Sequence, residues 1–164
     1  LLSRGQAVRM PWDTDYAKGS LDGSADFLRD HICLHPKLRG KAQWVRPGRI
    51  WTEPMAREFV ANNLTVFRQF AYGSIRKKGD PFPSCIDFTD AAFGQLKGTI
   101  IKMGLELPVF GPIAYLPSWV TDGIGHDALI WVLAPMQAFI LEPQNGRWTP
   151  FDAEAAEVQQ YRFG

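Results

Sequence analysis

Gly104 divides this chain into two kinds of periodicity. Upstream of it, from Ser84, apolar residues recur at helical spacing: Phe88, Ala92, Leu96, Ile100 and Met103 form one stripe. Downstream, short runs rich in Val, Ile, Phe, Leu and Trp are bounded by Gly, Pro and Asp, at Leu105–Tyr115, His126–Leu133 and Ala138–Leu141. Runs of that length and composition read as strands. The combination predicts an α+β fold, with helices first and then an antiparallel sheet packed on a central helix. Gly104 is a C-cap for that helix. Ala134-Pro135-Met136-Gln137 is a tight connection between the last two strands. Arg147–Thr149 adds a further strand, and Asp152–Gln160 reads as a short helix.

The region before Ser84 is less regular. Residues 1–23 are rich in Gly, Asp and Ser and read as an irregular stretch pinned by Trp12 and Tyr16. Asp13, Asp15 and Asp22-Gly23 match a calcium loop only in part, because Ala17 and Lys18 stand where a ligand and the turn glycine belong. Ser24 caps a short helix through His31, with Phe27, Leu28 and Ile32 on its apolar side. In His31-Ile32-Cys33-Leu34-His35 an extended backbone would align three metal ligands on one face. No fourth ligand is near, so a buried thiol flanked by surface histidines is the reading. Residues 36–50 mix Lys37, Arg39, Lys41, Arg46 and Arg49 with Trp44 and read as a solvated linker or a docking surface. Thr52-Glu53-Pro54 opens a helix carrying Met55, Phe59 and Val60. Asn62-Asn63 breaks it, and Leu64, Phe67, Phe70 and Ala71 suggest a second apolar face. Two units are expected, an N-terminal arm over 1–50 and the main domain over 51–164.

Composition narrows the function classes. At 164 residues the chain can bury a core without staples. A net charge of +1 argues against a nucleic-acid surface. No apolar run reaches the roughly 20 residues of a membrane span. The start, Leu1–Arg4, has neither a methionine nor the apolar core of a signal peptide, and localisation stays open. Two cysteines, Cys33 and Cys85, make no disulfide framework.

The chemistry-bearing residues lie around the central helix and the strands. Pro81 and Pro83 keep the chain irregular up to Ser84. Cys85 then stands at the helix N-terminus, where the macrodipole favours thiolate over thiol. His126 opens one strand and Glu142 closes its antiparallel neighbour, so both lie at the same end of a hairpin. Cysteine, histidine and carboxylate are the parts of a nucleophile, its base and the orienter of that base. Each alone also has an ordinary reading: an inert buried thiol, a strand-edge histidine, a surface carboxylate. Asp127 either raises the basicity of His126 or points to the other face.

Three stretches carry a resemblance: Ser84-Cys85-Ile86-Asp87-Phe88, Gly125-His126-Asp127-Ala128, and Phe139-Ile140-Leu141-Glu142-Pro143-Gln144-Asn145-Gly146. They resemble the papain-like cysteine protease domain of the Marasmius oreades agglutinin family of fungal lectins. That family has a Cys-Asp-Asp-Phe motif, an Ala-His-Ala strand and a Phe-Glu-Pro-Gln-Asn-Gly strand. The resemblance covers roughly residues 50–150, and nothing here resembles the family's sugar-binding β-trefoil. It implies a papain-like fold, with Cys85 as nucleophile, His126 as base and acid, and Glu142 as orienter. It also implies an oxyanion donor beside the thiolate, for which the Cys85 backbone N–H and Gln144 are candidates, with Asn145 in support. Peptide or protein is the implied substrate. The family's protease uses calcium, but Ile86 replaces one of its two acids. Asp87 is therefore the single candidate metal ligand, and no cofactor is expected. The alternative is a catalytically idle papain-like module, a structural or adaptor subunit of an oligomer or larger assembly such as a virion, docking through residues 1–50. A lectin would need repeats, which are absent.

Overall fold

The computed structural model describes residues 22–65 and 83–164. In chain order the described elements are β1 (Asp22–Gly23), α1 (Ala25–His31), β2 (Ala42–Val45), β3 (Gly48–Arg49), α2 (Glu53–Asn63), α3 (Cys85–Met103), β4 (Phe110–Pro117), β5 (His126–Leu133), β6 (Gln137–Leu141), β7 (Trp148–Pro150), α4 (Phe151–Glu154) and β8 (Ala155–Phe163). The partial calcium-loop match at Asp13 and Asp15, the anchors Trp12 and Tyr16, and the second apolar face at Phe67, Phe70 and Ala71 lie outside the described residues.

The fold is α+β, as the change of periodicity implies. A six-stranded sheet runs in the order β2-β8-β4-β5-β6-β7. Its pairings are antiparallel except for β2 against β8, which is parallel and makes the sheet mixed. β5 is central and is buried along six successive residues, Ala128 to Leu133. Because strand side chains alternate, Leu129, Trp131 and Leu133 enter one core while Ala128, Ile130 and Val132 enter another. The first core is closed by α2 and α3, through Phe59, Phe93, Leu96 and Ile100. Trp131 sits at its centre, with ring centroids 4.6 Å from Phe110, 5.4 Å from Trp148 and 5.9 Å from Trp51. Each such side chain taken fully from water contributes on the order of 2 kcal/mol. The second core is closed by Leu28 and Ile32 of α1 and by Leu38, Ile50 and Phe151. Residues 22–50, read from sequence as part of an arm, thus supply buried side chains and one strand to the main body.

The helix signals act as their chemistry requires. Ser24 accepts from the Phe27 N–H at 3.2 Å, and Thr52 from the Met55 N–H at 3.4 Å. α3 stops at Gly104, in the left-handed region at φ 69°, a conformation glycine adopts without strain. Its buried face holds Phe88, Thr89, Ala92, Phe93, Leu96 and Ile100, while Met103, expected in the stripe, is 43% exposed. The stretch His31–His35 is not extended. It ends α1 and continues in turns, with His35 paired to Asp152 at 2.9 Å.

Two strand expectations need correction. The run from Leu105 pairs as β4 only from Phe110, since Pro108 has no N–H to donate to a ladder and the preceding carbonyl of Leu107 accepts from Arg49 of β3 at 2.8 Å. The segment Asp152–Gln160 is helical only to Glu154, and from Ala155 it becomes the nine-residue strand β8. Its buried residues Ala155, Val158 and Tyr161 are spaced by three, which mimics a helix. Against β4, Tyr115 pairs with Val158 while Ala114 pairs with Gln160, and Pro117 pairs with Ala155 while Leu116 pairs with Glu157. Each step skips one residue on β8. Two bulges therefore stretch a period of two into an apparent period of three.

Two glycines allow a contrasting test of this packing. A Cβ at Gly94 in α3 would meet nothing within 4 Å, whereas one at Gly111 in β4 would lie 1.9 Å from the Arg162 carbonyl oxygen of β8. Gly94→Ala is expected to raise stability by about 0.5–1 kcal/mol through helix propensity. Gly111→Ala is expected to lower it by more than about 2 kcal/mol. Chemical denaturation of both variants checks this, and equal midpoints for the two would refute the β4–β8 packing.

Candidate active site

The capping chemistry of α3 fixes the position of Cys85. Ser84 is extended, with φ −116° and ψ −179°, and precedes the first helical residue. Its backbone N–H donates to Oδ2 of Asp87 at 2.8 Å, and its hydroxyl to the same oxygen at 3.1 Å. This reciprocal cap locks the entry to the helix. Cys85 follows at the first helical position, half-buried, where the positive end of the helix dipole favours negative charge.

The sheet delivers the other two groups. β5 and β6 pair Leu129 with Leu141, and continuing that register sets Glu142 opposite Ala128. His126 is then the diagonal neighbour of Glu142 on the same face. The run that follows Glu142 is a tight loop. The Glu142 N–H donates to the Arg147 carbonyl at 2.9 Å, and the Gly146 N–H donates to the Glu142 carbonyl at 2.7 Å. Gly146 has φ 73°, the reason a glycine stands there. The Gln144 N–H donates to Oε1 of Glu142 at 3.2 Å, and Oδ1 of Asn145 accepts from the Arg147 N–H at 2.9 Å. Gln144 and Asn145, candidates for oxyanion binding and support, thus shape the loop and one carboxylate oxygen.

The second carboxylate oxygen, Oε2, is hydrogen-bonded to Nε2 of His126. The thiol of Cys85 is the other group that acts on this imidazole, and it raises its basicity. The His126 and Glu142 side chains are only 18% and 14% exposed. Burial disfavours the charged ring, but the influence of Cys85 and the hydrogen bond and negative charge of Glu142 outweigh it and push His126 up to about 10. On the neighbouring strand Tyr115 pairs with His126 and presents its ring edge-on, with centroids 5.8 Å apart. Asp127 lies on the other side of the strand, where burial raises its carboxyl and Asp90 adds to that, against the opposing pull of His126.

The structure therefore brings together Cys85, His126 and Glu142, which are far apart in sequence. It also shows neighbours that sequence reading passed over. Tyr115 is fully buried, and its hydroxyl donates to Oε1 of Glu154 at 3.1 Å. Burial and then the nearby carboxylates push its phenol well above the usual range. Nε1 of Trp119 donates to the same Glu154 oxygen at 3.0 Å. Tyr115 carried no signal beyond its strand, and Glu154, at the end of its short helix, none beyond that helix. Asp87, the candidate metal ligand, stands in the first turn of α3. Its carboxylate caps Ser84, and among the described residues no three His, Cys, Asp or Glu side chains are grouped to hold a metal.

No family model and no curated protein matches the sequence. Eight solved chains do match the fold. One is titled the PSL1a-E64 complex; it is 18% identical, with a TM-score of 0.53 over 88% of this chain and 50% of that one. This chain spans about half the length of that relative, and the likeness is one of fold. Among the described residues, no helix is long and apolar enough to cross a membrane.

The raised value for His126 has a definite sign. A ring protonated more readily when folded adds stability that is complete below about pH 6.5, its ordinary value. That stability is lost as pH climbs through about 10. Ring-proton NMR should show His126 still protonated at pH 8, and Glu142→Gln should move its midpoint down. A ring already neutral at pH 8 in the wild type would rule this out.

Proposed function

We propose that this chain is a cysteine-dependent hydrolase of the papain-like type that cleaves peptide amide bonds. The observation that carries the reading is a single imidazole hydrogen-bonded to a carboxylate and raised in basicity by a helix-tip thiol as well. The solved relative supports it, since its title pairs it with E64, a cysteine protease inhibitor. So do the motifs shared with the protease domain of the Marasmius oreades agglutinin family.

In this scheme Sγ of Cys85 attacks the substrate carbonyl carbon as thiolate. The carbonyl oxygen becomes an oxyanion, and the Cys85 backbone N–H, one of the helix's first-turn donors, is the candidate to bind it. His126 then gives its proton to the leaving nitrogen, the C–N bond breaks, and a thioester to Cys85 remains. Water follows. His126 takes a proton from it, the hydroxide adds to the thioester carbon, the S–C bond breaks and the acid is released. Glu142 holds the ring in the orientation and charge state that both steps need. Gln144 acts through its N–H on Glu142, and Asn145 through the loop.

The adaptor reading has one observation in its favour. Trp44 is 63% exposed on β2, the outermost strand at one edge of the sheet, and open edges with exposed apolar groups invite docking. Turnover decides between the two. Casein hydrolysis or self-cleavage should vanish in Cys85→Ala. In folded Glu142→Gln it should fall by about 10- to 10⁴-fold without vanishing, because members of such a unit are not additive. Equal background rates in wild type and both variants would favour the idle module.

A further inference from the structure

The loop between β4 and β5 borders His126 but has no part in the scheme above. It forms an open cleft of about 380 Å³ lined by Pro117, Trp119, Val120, Ile124, Gly125 and His126. That volume is in the range of sites that hold a small ligand or a bulky side chain. Trp119 is 63% exposed and Ile124 66%, and Ile86, next to Cys85, is 54% exposed. Large apolar side chains left together at the surface mark an interaction site.

This exposed indole is not free to swing. Its Nε1 is held by Glu154, whose same oxygen holds the Tyr115 hydroxyl. Next to it, the Ser118 N–H donates to the Glu154 carbonyl at 2.6 Å and its hydroxyl to the Ala153 carbonyl at 2.7 Å. Farther round the loop, the Val120 N–H donates to the Pro117 carbonyl at 3.1 Å, and Oδ1 of Asp122 accepts from the Ile124 N–H at 3.1 Å. The wall is thus tied to α4 and to the strand that touches His126. A rigid apolar wall lowers the entropy lost when a ligand packs on it.

We propose that this cleft receives a large apolar or aromatic side chain from the substrate residue on the leaving-group side of the scissile bond, with Trp119 as its specificity-determining wall. The inference rests on the hydrolase reading. In that reaction the acyl half is bonded to Sγ of Cys85, while the leaving nitrogen takes its proton from His126. The leaving half therefore lies over the imidazole, and the cleft adjoins the imidazole. Among the described residues Asp122 is the one carboxylate lining the cleft, which makes a basic side chain the competing occupant.

Two measurements on the full chain test this. In the first, peptides with one acyl half and Gly, Ala, Phe, Trp or Lys after the scissile bond are cleaved by wild type, Trp119→Ala and Trp119→Phe. Phe and Trp should exceed Gly in kcat/KM by at least about 10-fold. Trp119→Ala should erase that preference and Trp119→Phe keep most of it. In the second, which needs no turnover, Cys85 is alkylated by N-phenethyl iodoacetamide and by iodoacetamide. The aromatic reagent should react faster than iodoacetamide in wild type, and that ratio should collapse in Trp119→Ala. Equal rates for Gly and Phe, a Lys preference abolished by Asp122→Asn, or a labelling ratio indifferent to Trp119 would overturn the inference. If no peptide is cut above the Cys85→Ala background while the labelling ratio still depends on Trp119, the apolar cleft stands and the hydrolase reading fails.

Discussion

The imidazole of His126 stands where the helical half of the molecule, through Cys85, and the sheet half, through Glu142, act on one group. α3 contributes the thiol at its tip, and the β5–β6 pair contributes Glu142 through its register. Burial alone would leave this ring neutral. The hydrogen bond to Glu142 and the influence of Cys85 reverse that preference and keep it protonated across the neutral range. A displacement of about 1 Å at either partner is enough to undo such an arrangement, so the placement of α3 against the end of β5 governs everything the site can do.

That placement is made rigid by apolar packing on both sides of one strand. β5 sends alternate side chains into two cores, and each core is closed by different parts of the chain: α2 and α3 on one face, α1 with the segments around Leu38, Ile50 and Phe151 on the other. The residues before Trp51 are therefore part of what holds His126 in place. At the same end of the strand pair, five short-range hydrogen bonds in the loop after Glu142 set the direction of its carboxylate. Hydrophobic burial supplies the stiffness, and the polar loop supplies the aim.

The elements that meet at the site were legible because each announces itself locally. Ser84 with Asp87, the stripe from Phe88 to Ile100, and Gly104 define α3 without tertiary information. The runs His126–Leu133 and Ala138–Leu141, joined by a turn at Pro135, define the hairpin and hence the nearness of His126 to Glu142. β8 was not legible, because its two bulges exist only in relation to β4 and convert strand spacing into helical spacing. β2 was hidden for a similar reason: four mostly exposed residues, Ala42–Val45, have no apolar alternation of their own and are a strand only because β8 lies beside them. The wall built by Trp119 and Glu154 joins two loops by a side-chain hydrogen bond, which no local pattern encodes.

The central claim is that Cys85 is made nucleophilic by His126, and competition between the two thiols of the folded chain tests it most directly. Cys33 is also half-buried, packed against the second core and away from any imidazole pair of this kind. With limiting iodoacetamide near pH 6, followed by peptide mapping, the account predicts modification at Cys85 well before Cys33. It also predicts that His126→Ala removes the difference while the protein remains folded. Labelling of Cys33 first, or a Cys85 rate indifferent to the loss of His126, would contradict it.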